Sequence, residues 1–540
     1  MIMEHEWLNK ENILNQLDKL DVDTRRYKTV ISFIFKPLIV DLMKLIDSNY
    51  ASELGPPAYP RLQLLAILAF AEIRGEDDPD KICQLCKTDD IFKILTPTRK
   101  PTRNTLNSLF NWQDETIFLS IFLLTVSMLN DYDFLPKDKK HYLDSTDALV
   151  NASVNYLITE EEIEALELMK KWNLIHNSTP KKIRQSKIMV ECKLRQYKNN
   201  PEITKLIGII LKRIKLYNTT VYSKLDEFKE ALVDANKNYV SINFPEAVKI
   251  HTKRGKWDMG LNLQEVLTSN SLVLTGLLQR KPNDQGALKD IEQELFKNYL
   301  LLKKIQKEYG ERRNYRELEK IFNESKIHCD SGYDGEENNI TVVTSSITFI
   351  ILPKKLARQI NNKLRKKHKT TNNKKKKKKK KTLKNEDDHS ITECERVKDA
   401  YICPFGNPIE LTDVKLKDND HNKQKGLPKL LLEYDFIHEC SDCRGCPYFM
   451  KYGEKCSVGK YTETTTEYHY ELTNSFVSGE HDTDYFKRFP ISEGINGYLK
   501  RKTGILRLRG NNLISVSNRM HLKNAIYNLI RFVKLKGSAW

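Results

Sequence analysis

Three acids, each in distinctive surroundings, constrain this chain more than any other feature of its 540 residues. Asp144 closes the run His141-Tyr142-Leu143 and opens Asp-Ser-Thr-Asp-Ala-Leu-Val-Asn-Ala-Ser. Asp330 closes Lys326-Ile327-His328-Cys329 and opens Asp-Ser-Gly-Tyr-Asp-Gly-Glu-Glu-Asn. Glu493 begins Glu-Gly-Ile-Asn-Gly-Tyr-Leu-Lys, which reads as the first turns of a helix. Two acids at strand ends and one on a later helix can meet only through tertiary folding. A site so built holds hard divalent cations by oxygen ligands, as in-line phosphoryl transfer requires. The plainer reading of each aspartate is a turn former or helix cap at the end of a strand.

The surrounding words resemble the DDE transposases of prokaryotic insertion sequences, in the group with a helical domain before the catalytic core. The resemblance rests on Asp144-Ser145-Thr146, on Asp330-Ser331-Gly332-Tyr333 with Glu336-Glu337-Asn338, and on Glu493 with Lys500. It extends to Lys253-Arg254-Gly255-Lys256, Gly260-Leu261-Asn262-Leu263 and Gln279-Arg280-Lys281-Pro282-Asn283-Asp284. The segments Pro57-Ala58-Tyr59-Pro60-Arg61 and Ala525-Ile526-Tyr527-Asn528-Leu529 complete it. Ser145 stands where the group has glycine, Asn496 where it has phenylalanine, and Arg488 lies about one residue from the group's basic position.

The resemblance implies an α+β chain: an N-terminal all-helical, helix-turn-helix-like domain, then a ribonuclease-H-like α/β/α core with helical and cysteine-rich insertions. It implies that Asp144, Asp330 and Glu493 hold two Mg²⁺ (or Mn²⁺) ions per active site, roughly 3.5–4 Å apart. Water would cut a strand at the element end, and the freed 3′-hydroxyl would attack a second phosphodiester. The implied partners are the terminal repeats and target sites of double-stranded DNA, gripped by a homodimer that pairs two ends. Lys500, two helical turns past Glu493 on the same face, and Arg488 are candidates to neutralise a phosphate. Tyr333 reads as a core tyrosine. The alternatives are a catalytically inactive or repurposed DNA-binding protein, or a nuclease of the same fold that cuts without joining strands.

Composition bounds the rest. No apolar run reaches the roughly 18–20 residues of a membrane span, and the opening residues lack the basic and apolar regions of a secretory signal. The expectation is a cytoplasmic, nucleoid-associated protein with no membrane partner. Net charge is +18, but residues 363–384 hold 14 basic side chains and no acid, so the remainder carries only +4. The unbroken lysines 374–381 repel one another and bury no apolar area, so this tract reads as a disordered linker with sequence-independent affinity for phosphates.

Ten cysteines in a chain of this kind argue against a disulfide framework. Cys83 and Cys86 sit in a helical pattern and read as buried thiols. Cys440, Cys443 and Cys446, with Cys456 ten residues on and Cys403 upstream, have the spacing of a structural zinc site. An iron–sulfur cluster and plain reduced thiols are the other readings.

The expected organisation follows in chain order. Residues 1–138 form a helical DNA-binding domain and 139–156 the first core strand. Residues 157–238 form a charged helical insertion, read as solvated, salt-bridged helices. The core continues over 239–355, a basic linker spans 356–400, a cysteine-rich insertion 401–484 and C-terminal core helices 485–540. Within the first segment, a helix is expected between Pro60 and Gly75, another after Asp78-Pro79, and a third after Pro101 with Leu106, Leu109 and Phe110 inward. Arg99, Lys100, Arg103 and Asn104 lie at the start of that third helix, where a recognition helix meets the major groove. A helical bundle with basic loops is the alternative. The last stretch, through Arg531-Phe532-Val533, reads as a core helix with a phosphate-facing side. Runs at 247–251, 261–263 and 272–277 read as a hairpin-like series, and a helix is expected from Gly286 to about Glu308.

Overall fold

The computed structural model describes residues 9–49, 59–112, 114–150, 152, 156–177, 179–234, 238–251, 257–310, 315–354, 356–357, 395–397, 399–402, 408–417, 429–435, 460–479 and 512–538. Between 487 and 510 it describes 487, 488, 490–492, 494, 495, 497, 508 and 510.

The described residues open with eight α-helices: α1 (Lys10–Asp18), α2 (Arg25–Ile34), α3 (Pro37–Asn49), α4 (Arg61–Arg74), α5 (Pro79–Thr88), α6 (Asp90–Leu95), α7 (Arg103–Ser108) and α8 (Thr116–Asp131). The expected punctuation operates. Gly75 ends α4 at φ 74°, a left-handed turn that costs glycine nothing. Asp78 caps α5 through the amide of Asp80, with Pro79 in the first turn. Helix α8 is apolar all round and every residue from Ile117 to Asp131 is buried, the signature of a helix enclosed on all sides.

The main sheet contains β1 (Lys140–Leu149), β4 (Val248–His251), β5 (Trp257–Thr268), β6 (Val273–Gln279), β7 (Lys326–Cys329) and β8 (Thr348–Ile351). Its order is β4-β5-β1-β7-β8, with β6 also paired to β5. Strands β4, β5, β6 and β1 pair antiparallel, whereas β1, β7 and β8 run parallel. The parallel pairs need crossovers. Helices α14 (Ala287–Tyr309) and α15 (Tyr315–Asn323) lie between β6 and β7 in the chain, and α16 (Glu336–Thr344) lies between β7 and β8. Helical N-terminal region and mixed sheet together make an α+β fold whose strand order resembles the ribonuclease-H-like topology in a coarse sense.

One apolar core runs from Ile13 through α8 and the sheet to Phe532. Its last described element is α18 (Leu513–Ser538). The expectation of a phosphate-facing side on this helix is corrected for its described residues. Lys523 bonds Glu72 of α4 at 2.6 Å, Arg519 bonds Asn107 at 2.8 Å, and Arg531 bonds the carbonyl of Asn270 at 2.8 Å. Up to Arg531 the helix packs against the core, and these three cations are used inside the protein, whereas Lys534 and Lys536 near its end are exposed.

The insertion after β1 has the expected helices and salt bridges, and adds a buried core to them. Strands β2 (Leu157–Thr159) and β3 (Tyr239–Ser241) pair antiparallel and close its base. Between them α9 (Glu160–Lys171), α10 (Pro180–Gln196), α11 (Pro201–Arg213), α12 (Thr219–Tyr222) and α13 (Leu225–Asp234) bury a core of their own. Leu166, Met169, Val190, Ile207, Ile210 and Phe228 belong to it. Solvated helices joined by salt bridges would not exclude water in this way; apolar residues at helical spacing do.

After the main sheet, β9 (Glu395–Val397), β10 (Ala400–Ile402), β11 (Pro408–Lys417), β12 (Lys429–Asp435) and β13 (Lys460–Thr466) form a second, antiparallel sheet in the order β13-β12-β11-β10-β9. Helix α17 (Glu467–Val477) follows. The expected linker thus gives way to strand from Glu395 onward. The lysine tract 363–384 lies outside the described residues.

Candidate functional site

Asp144 lies in the middle of β1, not at its end as expected. The reason is the unequal reach of its neighbours. Strand β5 pairs with β1 from His141 to Leu149, but β7 pairs only with Lys140–Leu143. Leu143 faces Cys329 across the parallel pair, so Asp144 and Asp330 are the next positions in one register. Adjacent strands run about 4.8 Å apart, and in-register positions of parallel strands present side chains to one face. Two carboxylates are thereby set side by side where β7 stops.

Asp330 also fulfils the plainer expectation. Its Oδ1 accepts from the amide of Gly332 at 2.9 Å and from the hydroxyl of Ser331 at 3.1 Å, capping a short 3₁₀ turn, Ser331–Tyr333. That leaves Oδ2 directed elsewhere, and its partner is Arg488. The Arg488 guanidinium lies 3.3 Å from Asp330 Oδ2 and 3.4 Å from Asp144 Oδ1. These contacts are long for N–H···O bonds, so the attraction is chiefly that of charges. The Arg488 side chain is 4% exposed, against 19% for Asp144 and 42% for Asp330. A buried cation thus bridges two acids that open toward solvent. Arg488, a secondary candidate from the sequence, is the residue that joins them.

Three further groups escaped the sequence reading. Glu265 faces Asp144 on β5 and is buried. Asp284, within the Gln279–Asp284 motif, accepts from Asn262 at 3.0 Å and Gln264 at 2.9 Å. Gly332 fits closely there: a Cβ on it would come 2.9 Å from Asp284 Oδ2, so the carboxylate would have to shift. Tyr333 is fully buried and donates its hydroxyl to Gln264, so it is the core tyrosine expected, with burial pushing its pKa well up. Asn338 completes the frame by bonding the carbonyls of Asp284 at 2.7 Å and Tyr333 at 2.9 Å. The signal was available in the sequence, since Asn262, Asp284 and Asn338 all fall in its distinctive segments. Their roles needed the fold.

Asp334, four residues past Asp330, bonds His469 of α17 at 2.6 Å. Burial opposes ionisation of Asp334, but its bond to His469 and that residue's charge outweigh this and hold the carboxyl below its ordinary range. The pair borders a cavity of about 290 Å³ that Lys354, Tyr401, Lys429 and Glu463 also line. It is separate from the Asp144–Asp330 pair and ties the second sheet to the first.

Of the DNA-contact candidates, Arg99, Arg103 and Asn104 are exposed and Lys100 is half-buried. Arg99 lies over the Tyr59 ring at 5.6 Å, Lys100 bonds Thr96, and Arg103 pairs with Asp80 at 3.1 Å. Leu106, Leu109 and Phe110 are buried as expected. Glu493 and Lys500 lie outside the described residues. So do Cys403, Cys440, Cys443, Cys446 and Cys456. Cys86 is a buried thiol with its pKa pushed up to about 12 by burial, and Cys83 is partly buried.

Among the described residues, no group of three or more His, Cys, Asp or Glu side chains is placed to hold a metal ion. Also among them, no helix is long and apolar enough to cross a membrane. Comparison with protein families, with curated proteins and with solved structures finds no match to this chain.

Proposed function

We propose that this chain is a DNA transposase of the DDE type, cutting its element's ends and joining the freed 3′-hydroxyl to target DNA. The observation that carries the proposal is the placement of Asp144 in β1 beside Asp330, one residue past the end of the neighbouring parallel strand β7, the two opening toward solvent and bridged by a buried cation. The donor set suits a hard divalent ion: two carboxylates, one braced by Gly332 and Ser331, in a place that already stabilises positive charge. Asp144 and Asp330, with Glu493, would hold Mg²⁺ or Mn²⁺, which would polarise a phosphoryl oxygen and activate water. Arg488 would neutralise a non-bridging phosphate oxygen. The strand order supports the ribonuclease-H-like core that this chemistry uses, though fold by itself names no function.

A second reading has its own observation. Arg488 already supplies the cation the acid pair needs, and the described residues contain no three-ligand set. On this reading the chain is a DNA-binding protein without catalysis. Incubation with linear duplex carrying the element ends and Mg²⁺ distinguishes them, since strand cleavage followed by joined product supports the first. Cleavage with no joined product indicates a nuclease of the same fold, and intact DNA supports the second.

Arg488→Met provides a readout independent of activity. The substitution leaves two carboxylates facing each other with their cation removed. Mg²⁺ is expected to raise the melting temperature of this variant by about 2–4 °C more than that of the wild type, the effect of ~1 kcal/mol of ligand stabilisation in a folded unit of 150–250 residues. An equal response in both proteins would show that the acids do not form a cation site.

The cysteines belong to the same proposal, as a structural zinc site at Cys440, Cys443, Cys446 and Cys456. Purified, reduced protein is expected to contain about one zinc per chain, removed by Ser at Cys443 and Cys446. Metal-free protein would return these residues to plain thiols.

A further inference from the structure

The helical insertion carries a feature that neither the acid pair nor the N-terminal helices account for. Helix α10 packs against its module through Ile183, Ser186, Val190, Leu194 and Tyr197, one stripe at helical spacing. The rest of its surface is mostly cationic, with Glu191, Ile188 and Met189 also exposed. Lys181, Lys182, Arg184, Lys187, Arg195 and Lys198 are all exposed. Elsewhere in the module charges pair between helices: Glu161 with Lys205, Glu162 with Arg213, and Glu167 with Lys229. Among the described residues, none of these six cations, five on α10 and Lys198 just past it, has an ion-pair partner.

We infer that α10 is a docking surface for the phosphate backbone of double-stranded DNA. At 100° per residue, Lys181, Arg184, Lys187 and Arg195, with Lys198 just past the helix, fall on one flank, and the exposed acid Glu191 lies among them. From Lys181 to Arg195 they span about 20 Å, the axial length of roughly six phosphates of one strand. Lys181, Arg184 and Lys187, at three-residue steps, repel one another unless a polyanion lies along them, and Glu191, four residues from both Lys187 and Arg195, offsets only part of the charge. The contacts made are to phosphates, so they confer affinity and carry no sequence information. An anionic membrane is the lesser fit. An interfacial helix turns an apolar stripe outward, whereas the stripe of α10 faces its own module, leaving only Ile188 and Met189 exposed.

This inference rests on the proposed action on DNA and extends it to a part of the chain far in sequence from Arg99–Asn104. The test uses full-length protein and a variant with Lys181→Gln, Arg184→Gln, Lys187→Gln and Arg195→Gln, all on the exposed flank. Binding to a fluorescein-labelled 30-base-pair duplex of mixed sequence is followed by anisotropy over a series of NaCl concentrations. Each lost phosphate contact lowers the slope of log K against log[salt] by ~0.9, so the variant's slope is expected to fall by about 3. Its affinity near 0.1 M salt is expected to fall at least about tenfold. A control with Lys303→Gln, Lys304→Gln and Lys307→Gln removes exposed charge from α14 and is expected to change the slope by less than about 1. An unchanged slope in the α10 variant, at an unchanged melting temperature, overturns the inference and leaves the catalytic proposal standing. Absence of duplex binding by the wild type at low salt overturns both. A variant that loses binding to phosphatidylserine vesicles but not to duplex assigns the surface to membranes and overturns the inference as well.

Discussion

Asp330→Asn protein is expected to bind duplex DNA as the wild type does and to cleave it, in Mg²⁺, at less than about a tenth of the wild-type rate. The substitution is nearly isosteric and retains an oxygen for the Gly332 amide, so the short turn Ser331–Tyr333 should persist. What it removes is the negative charge at Oδ2, the atom beside Arg488. A neutral amide is a poor ligand for a hard divalent ion, and its N–H groups would meet the donors of the guanidinium. The measurement is a single-turnover cleavage assay on labelled element-end DNA, with anisotropy on the same DNA as the control. Cleavage above that level would show that Asp330 is a turn cap and no more. Joint loss of binding and cleavage would point instead to a folding defect, which the melting temperature would reveal.

The second large effect concerns stability. Lys523→Met should destabilise the protein by roughly 3–5 kcal/mol at pH 7.5, because it strands Glu72 in the core. The pair joins α18 to α4 at 2.6 Å, with side chains 4% and 11% exposed. Burial already holds the Glu72 carboxyl above its ordinary range, opposed by the attraction and hydrogen bond of Lys523. A raised pKa in the folded state means that stability is greatest when the acid is neutral and declines as pH rises through the folded value. Removing Lys523 moves that value further up, so the variant's deficit should shrink as pH falls from 7.5 to 5.5. Restoring an apolar contact with Glu72→Leu in the same chain should recover most of the loss. Urea unfolding at the two pH values reads all three quantities. A deficit below about 1 kcal/mol, or one indifferent to pH, would mean that Glu72 finds water or another partner.

Much of the architecture was legible from residues alone, for local reasons. Pro60 and Gly75 bracket α4, and Asp78-Pro79 opens α5, because caps and breakers act within a turn of themselves. The hairpin-like series became β4, β5 and β6, and the helix expected from Gly286 became α14, Ala287–Tyr309. Leu106, Leu109 and Phe110 faced inward, because helical periodicity is a property of neighbouring residues.

What the sequence by itself determined, then, was the identity of the two aspartates and the elements that carry them. Their surroundings depended on contacts between residues hundreds of positions apart. Strand β1 continues past Asp144 because β5 goes on pairing where β7 has stopped, and no local signal marks that difference. Arg488 bridges the acids only because the chain returns to them after its insertions. The basic residues of α18 read as a phosphate-facing side, yet Lys523 is enclosed, since burial on every side is set by what packs around a helix. The charged insertion proved to bury a core of its own for the same reason. Charge pattern along a chain shows which residues can be solvated; tertiary packing decides which of them are.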